Sequence, residues 1–220
     1  MFLHGYLSSK ESFAYQLSFF ANYFNILAFD LKGFGENANM EYPYSLNDYI
    51  EEVKQKLKEY NIVKPLVIAH SFGGRIAIKL ASENADFFEK IVLTGSAGLK
   101  PKFSFKRALK KLCYKTLKPF VKKEGLKRFY SKDYNALSDI MKQSFIKIVN
   151  EHLDNKLNDI ITPTLVVVGE QDKETPPYMA KRIAKGIKTS ELLVIKGAGH
   201  FAFVDKPYIF NMEVKEFLLL

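Results

Sequence analysis

The sequence predicts an α/β fold in which helices cover both faces of a mostly parallel sheet. Short apolar runs alternate with longer amphipathic stretches, and the runs are almost continuously apolar, as expected of strands that are buried on both faces. Polar, potentially reactive side chains follow directly after several of these runs. The candidate strands span residues 25–31, 65–70, 90–95, 163–169 and 191–197.

Length and composition favour one globular domain. The chain has 220 residues, of which 47% are hydrophobic and 26% charged, so it can bury a substantial core. Its apolar runs are shorter than the roughly 18 to 20 residues of a membrane span, and its opening residues lack the basic start of a signal peptide. A cytoplasmic location is therefore expected. A single cysteine, Cys113, excludes an internal disulfide and a cysteine-based metal cluster.

The net charge of +9 is concentrated in one segment. Between Lys100 and Arg128, twelve Lys or Arg residues accompany one acid, Glu124, which leaves about −2 for the rest of the chain. A solvated helix face explains this pattern most simply, although residues 105–120 could also make weak contact with an anionic membrane surface. No nucleic-acid-binding motif accompanies the charge, so we expect no nucleic-acid partner.

The elements between the strands follow helical spacing. Residues 45–60 begin with a capping serine and an acid three positions later, and Ile50, Val53 and Leu57 then share one face. From Gly98 the strand rhythm stops, and it resumes near Asp159.

This interruption predicts a helical insertion. An insertion followed by the same strand rhythm is typical of a lid over one end of the sheet. The predicted organisation is a core of residues 1–97 and 158–220, with a helical lid of residues 98–157 inserted in it.

Several predicted strands end in side chains that can carry chemistry. Ser71 follows the second strand within "AHSFGG", Asp172 follows the fourth strand, and His200 follows the fifth. Near the start of the chain, "FLHGY" contributes His4 and Gly5 at a turn. Reactive groups of a parallel sheet collect at the carboxyl ends of its strands, so we expect these residues to converge.

The serine, acid and histidine in this order resemble the α/β-hydrolase family and its nucleophile elbow. The elbow needs small residues two positions before and after the serine, because strand and helix converge there. Ala69 and Gly73 occupy these positions, with Ala69 in place of the glycine of the stricter pattern. The resemblance covers nearly the whole chain.

The resemblance implies a role for each residue. Ser71 would be the nucleophile, His200 its general base, and Asp172 the acid that orients the imidazole. The backbone N–H groups of Tyr6 and Phe72 would form the oxyanion hole.

Neighbouring residues have supporting roles in this interpretation. His4 and Gly5 would shape the oxyanion turn, whereas the side chain of His70 is expected to point away from the substrate. Glu170 and Glu174 flank the proposed acid and could be mistaken for it.

Members of this family usually carry a β-hairpin before the His-Gly turn, but this sequence has only "MFL" ahead of His4. We therefore expect the N-terminal strands to be missing, which would leave residues 25–31 as an exposed edge strand. We expect the natural start to lie upstream of Met1.

The leading functional hypothesis is a serine hydrolase that cleaves a carboxylic ester of small to medium acyl size. A carbon–carbon bond hydrolase or lyase acting on a carboxylate-bearing substrate is the first alternative, because the basic segment would suit such a substrate. A non-catalytic, truncated binding protein is the second. No metal or cofactor is expected, because the sequence lacks ligand clusters and phosphate-binding glycine loops.

Overall fold

A computed structural model describes residues 1–102 and 132–220, and elements are numbered over these residues. Five parallel strands form one sheet in the order β1-β2-β3-β4-β5. The last four confirm the strands predicted at 65–70, 90–95, 163–169 and 191–197. The strands are β1 (Phe2–Leu3), β2 (Val67–His70), β3 (Ile91–Thr94), β4 (Thr164–Gly169) and β5 (Ser190–Ile195).

The prediction of a strand at residues 25–31 is wrong. Only Ala28 of this segment forms a β-bridge, to Phe2, and the Phe2 N–H donates to the Leu27 carbonyl over 2.9 Å. A ladder needs consecutive paired residues, and β1 offers only two. The segment therefore runs beside the edge of the sheet without joining it as a regular strand.

Helices cover both faces of the sheet, as predicted. The helix predicted at residues 45–60 is confirmed, and Ser45 and Asp48 form its capping box. The helices of the described residues are α1 (Ala14–Phe20), α2 (Leu46–Glu59), α3 (Phe72–Glu83), α4 (Lys132–Ala136), α5 (Asp139–Asn150), α6 (Pro177–Gly186), α7 (Ala202–Asp205) and α8 (Pro207–Leu219), with 3-10 turns at Lys10–Phe13, Gly35–Asn37 and Asp154–Asp159.

Alternate strand residues point into two separate apolar cores, because successive side chains of a strand face opposite sides. One core packs α2, α3 and α6 against the sheet and includes Leu3, Val67, Ala69, Leu93 and Val166. The other packs α1, α7 and α8 against the opposite face and includes Phe2, Ile68, Val92, Val167 and Ile195.

The strand register places the ends of β2 to β5 at one edge of the sheet. His70 pairs with Thr94, Thr94 with Val167, and Gly169 with Ile195. The segments that follow these strands, including Ser71, therefore begin side by side. This edge is where a functional site is expected in an open parallel sheet.

The basic segment 105–120 lies outside the described residues, so the membrane contact, like the lid and the domain boundaries, stays a prediction. Over residues 1–102 and 132–220, no helix is both long enough and apolar enough to cross a membrane.

Candidate active site

Ser71 lies on a strained turn between β2 and α3. Its backbone has φ 48° and ψ −102°, a conformation that residues other than glycine seldom adopt. The Ser71 N–H donates to the Thr94 carbonyl over 3.1 Å, and the Ser71 carbonyl accepts from the Ala97 N–H over 3.0 Å. The end of β3 and the segment after it therefore hold the turn from both sides.

The residues around Ser71 are small where the backbone is crowded. A Cβ atom on Gly73 would clash with the carbonyl oxygen of Leu3, and one on Gly74 would clash with Ser96 Oγ. Ala69 is fully buried in β2, where it pairs with Leu3 and Leu93. The small positions identified in the sequence are thus the points where α3 and the sheet approach each other.

Asp172 and His200 are in direct contact although they follow different strands. His200 Nδ1 lies 2.9 Å from Asp172 Oδ2. The buried carboxylate also accepts at Oδ1 from the N–H groups of Glu174 and Thr175, over 2.8 and 2.9 Å. Burial alone would raise the pKa of Asp172, but the hydrogen bonds from His200 and Thr175 lower it below its ordinary value. Asp172 is therefore a carboxylate near neutral pH, and the ring nitrogen facing it carries a proton.

Thr175 belongs to this site, although the sequence gives no signal for it beyond its place after Asp172. Its hydroxyl lies 2.8 Å from Asp172 Oδ2, 2.9 Å from the Gly95 carbonyl and 3.2 Å from His200 Nδ1. The hydroxyl proton can go to either Asp172 or Gly95. Thr175 therefore fixes the acid relative to the end of β3 and to the imidazole.

Ser71 and His200 line one cavity of about 530 Å³ at the carboxyl edge of the sheet. Within the described residues, no hydrogen bond joins Ser71 Oγ to His200 Nε2. The Nε2 atom instead lies 3.4 Å from Glu174 Oε2. Catalytic hydrogen bonds are often long in free enzymes and tighten when substrate binds.

His70 is closer to the site than the sequence led us to expect. His70 is among the residues that line the Ser71 cavity, and its ring centre lies 4.7 Å from that of His200. His70 Nε2 lies 3.2 Å from the His200 carbonyl oxygen, to which it donates, and the buried Nδ1 has no partner. Burial, with the positive potential of His200, lowers the pKa of His70 to about 3. His70 is therefore neutral and supports the backbone of His200.

His4 fixes the turn that leads to Tyr6. Its Nε2 accepts from the Leu31 N–H over 3.0 Å, so Nδ1 carries the proton and donates to the Gly5 carbonyl over 2.8 Å. The His4 carbonyl accepts from the Gly73 N–H over 3.1 Å and so ties the turn to α3. Burial lowers the pKa of His4, against the opposing effects of the Gly5 carbonyl and Asp30. The neutral ring therefore acts as a structural link.

The two predicted oxyanion residues lie beside Ser71. Tyr6 and Phe72 both line its cavity, and Phe72 is the first residue of α3. The N–H groups of a first helical turn have no partner within the helix and carry a partial positive charge. A Cβ atom on Gly5 would come within 2.8 Å of His70 Nδ1, so any larger residue at this turn would displace the His70 ring.

The cavity walls combine apolar side chains with one buried cation. Apolar wall residues include Leu7, Leu137, Phe145, Ile148, Val149 and Phe201. Arg75 Nη1 donates to the carbonyls of Ile148 and Glu151, over 3.0 and 2.7 Å. Burial lowers the pKa of Arg75 to about 10, which leaves the guanidinium charged at neutral pH. Arg75 thus holds the carboxyl end of α5 against the core.

No group of three or more His, Cys, Asp or Glu side chains in the described part of the chain is arranged to hold a metal ion.

The crowding at Gly73 predicts the effect of a single added methyl group. We expect Gly73→Ala to lower the free energy of unfolding by about 1–3 kcal/mol, because the clash with the Leu3 backbone outweighs the gain in helix propensity. Urea unfolding followed by circular dichroism measures the change. Ser82→Ala, on the same helix and only half-buried, is the matched control and should change stability little. A Gly73→Ala protein as stable as the parent would refute this account of the elbow.

The neutral, buried His70 predicts a loss of stability in acid. The unfolded chain takes up a proton near pH 6.5, but folded His70 does so only near pH 3, so the free energy of unfolding falls between these values as the pH drops. This group contributes a slope of up to about 1.4 kcal/mol per pH unit.

His70→Gln keeps an N–H donor for the His200 carbonyl but cannot titrate. We therefore expect a shallower fall in stability between pH 6.5 and 4, measured by urea unfolding at a series of pH values. His152→Gln changes an exposed histidine and should keep the parent slope. An unchanged slope in His70→Gln would show that the site does not hold His70 neutral.

Comparisons with known proteins identify the family of this chain. Residues 1–211 match the model of the alpha/beta hydrolase family. The chain is 28% identical to the putative esterase/lipase 2 of Mycoplasma pneumoniae over 237 residues, which cover 99% of this chain and 88% of that protein. It is 23% identical to the 2-hydroxy-6-oxo-6-(2'-aminophenyl)hexa-2,4-dienoic acid hydrolase of Metapseudomonas resinovorans over 227 residues, 90% of this chain and 75% of that one.

The fold is likewise similar to that of a solved esterase from Exiguobacterium antarcticum. The TM-score is 0.79 at 18% identity, and the match covers 100% of this chain and 91% of the esterase. At this identity the likeness concerns the fold alone. The family match, in contrast, extends over nearly the whole sequence. The resemblance drawn from the elbow is therefore confirmed, and the chain belongs to the alpha/beta hydrolase family.

Proposed function

We propose that this protein is a serine hydrolase that cleaves carboxylic esters of small to medium acyl groups through an acyl-enzyme intermediate. The observation that carries the proposal is the 2.9 Å contact between Asp172 and His200 beside the cavity that Ser71 lines. An acid, a base and a hydroxyl in this order are the parts needed to activate a serine. The strained backbone conformation of Ser71 also supports its assignment as the nucleophile.

In the first half-reaction, Ser71 Oγ attacks the ester carbonyl and its proton passes to His200 Nε2. The imidazolium that forms is stabilised by the carboxylate of Asp172 at Nδ1. The carbonyl π electrons move to the oxygen, which becomes negatively charged. When the tetrahedral intermediate collapses, the bond to the alkoxy group breaks and Nε2 returns the proton to the departing alcohol.

The negative oxygen of the intermediate needs donors that are already in place. The N–H of Phe72 at the start of α3 and the N–H of Tyr6 after the His-Gly turn are the proposed pair. Losing one such donor typically costs about 3–4 kcal/mol of transition-state stabilisation. The hydrogen bonds that tie His4 to Leu31, Gly5 and Gly73 support this role, because they hold both backbone segments rigid.

In the second half-reaction, a water molecule attacks the acyl-enzyme. His200 removes a proton from the water, and the bond between the acyl carbon and Ser71 Oγ then breaks. Ser71 regains its proton from Nε2, and the carboxylic acid leaves. The chemistry uses only groups of this chain and water.

The size and walls of the cavity support a small to medium acyl group. Its volume of about 530 Å³ is within the range of small-molecule sites. Phe145, Ile148 and Phe201 offer apolar surface for an acyl chain next to Ser71.

A serine-reactive fluorophosphonate probe tests the proposal. The parent protein should be labelled and should hydrolyse p-nitrophenyl butyrate, and Ser71→Ala should abolish labelling and lower kcat by about 10⁴-fold or more, because the nucleophile is gone. Ser18→Ala, an exposed serine of α1, is the matched control and should be labelled like the parent. Labelling that persists in Ser71→Ala would refute the proposal. A folded parent that is never labelled would favour the non-catalytic binding protein.

Carbon–carbon bond cleavage is the second candidate, and two observations favour it. One relative of this chain is named as the hydrolase of a hexadienoic acid. Arg75 is also among the cavity-lining residues, and its buried positive charge favours a carboxylate-bearing substrate even though Nη1 is bonded to backbone carbonyls. The same serine, base and oxyanion donors would serve this reaction.

A parallel substrate panel separates the two candidates. We expect measurable hydrolysis of p-nitrophenyl acetate and butyrate. We expect no turnover of a vinylogous diketo acid, which is measured by the loss of its visible absorbance. Turnover of the diketo acid without hydrolysis of either ester would replace the leading proposal with the second candidate. Ser71→Ala should be inactive in both assays and so controls for non-enzymatic decay.

A further inference from the structure

We infer that Glu174 selects the charge of the leaving alcohol, favouring esters whose alcohol part is cationic and disfavouring those whose alcohol part is anionic. The inference rests on the proposed function and adds a substrate class to it. Its basis is the position of the Glu174 carboxylate beside the nitrogen that would protonate the leaving group.

Glu174 is held next to the acid of the site by its backbone. Its N–H donates to Asp172 Oδ1 over 2.8 Å. This hydrogen bond fixes the main chain at Glu174 relative to the Asp172 carboxylate. The Glu174 side chain is 71% exposed, and Oε2 lies 3.4 Å from His200 Nε2. The carboxylate therefore lies at the mouth of the site, within reach of a bound ligand.

The chemistry of the reaction decides which part of a substrate meets Glu174. His200 Nδ1 faces Asp172, so Nε2 must receive the Ser71 proton and return it to the leaving oxygen. The leaving alcohol therefore lies against Nε2 when the intermediate collapses. A carboxylate 3.4 Å from Nε2 is then a near neighbour of the alcohol part and not of the acyl chain.

Other charged groups lie near the two cavities that Glu174 lines. Arg75 also lines the cavity, but it is buried and bound to backbone carbonyls at the end of α5. Lys173, Asp205 and Lys206 line an adjoining, more open cavity to which Glu174 also contributes. Among the described residues, Glu174 is thus the acidic side chain shared by both cavities.

The expected effect is modest because the carboxylate is exposed. Water and salt screen an interaction between exposed charges, so one charge pair changes kcat/KM by a few fold rather than by orders of magnitude. The useful measure is a ratio between substrates with the same acyl group, compared between variants, because it removes any general effect of a substitution on folding or catalysis.

Three thioesters with the same acetyl group provide the test. Acetylthiocholine has a cationic leaving group, 3,3-dimethylbutyl thioacetate is its neutral counterpart, and S-acetyl-3-mercaptopropionate is anionic. The released thiol is measured with a chromogenic disulfide. In the parent, we expect kcat/KM to decrease from the cationic to the neutral to the anionic thioester.

Glu174→Gln should lower the cationic-to-neutral ratio of kcat/KM by about threefold and raise the anionic-to-neutral ratio by a similar factor. Glu174→Lys should shift both ratios further, by about tenfold in total, because it reverses the charge. Salt at about 0.5 M should shrink the differences. Glu170→Gln is the matched control: its carboxylate accepts from the Gly197 N–H and does not line the Ser71 cavity, so the parent ratios should be kept.

The outcomes separate the inference from the function on which it rests. If the parent hydrolyses neutral esters and thioesters but the ratios are the same in Glu174→Gln and the parent, the inference alone is refuted. If the parent hydrolyses neither and the fluorophosphonate probe does not label it, the proposed function fails and the inference fails with it. An equal shift in Glu170→Gln would also refute the specific role of Glu174.

Discussion

The close approach of helix α3 to strand β1 is the constraint on which the site depends. The carbonyl of Leu3 occupies the space where a side chain at residue 73 would be, so only glycine allows the helix to begin so near the sheet. The chain must turn sharply between β2 and α3, and Ser71 adopts the strained conformation of that turn. Strain of this kind persists only where the surrounding structure enforces it. Here the pairing of the turn with Thr94, Ala97 and His4 does so.

A second constraint is electrostatic, and it concerns the imidazole of His200. The buried carboxylate of Asp172 lies beside the imidazole, and hydrogen bonds lower its pKa. The buried ring of His70 also lies beside the imidazole, and burial lowers its pKa. A charged His70 would oppose the positive form of His200, whereas the neutral ring supports its backbone carbonyl. The site therefore keeps one negative group in contact with the proposed base. The exposed Glu174 adds a second carboxylate on the opposite nitrogen.

Helix α5, which belongs to the segment predicted as a lid, is attached to the core along its whole length. The Tyr6 hydroxyl donates to the Met141 carbonyl, the Tyr44 N–H donates to Ser144 Oγ, and Arg75 holds the carboxyl end of the helix. Tyr6 also packs edge-on against Phe145. Of these residues, Tyr6, Arg75 and Phe145 also line the cavity. The apolar surface proposed to receive an acyl chain is thus fixed by polar contacts on either side of it.

Much of this protein could be predicted from local sequence, because continuous apolar runs specify buried strands and small residues around Ser71 specify a crowded turn. Such local signals predicted four of the strands, the helix at residues 45–60 and the family. Other features depend on partners distant in the chain. Residues 25–31 have the composition of a strand, but the neighbouring strand β1 has only two residues to pair with them. His70, Thr175 and Glu174 contact His200 only once the chain has folded. Residue type and spacing determined which groups reach the edge of the sheet. Only the tertiary structure decided which of them touch, because hydrogen bonds and pKa values depend on burial and on neighbours that sequence order does not specify.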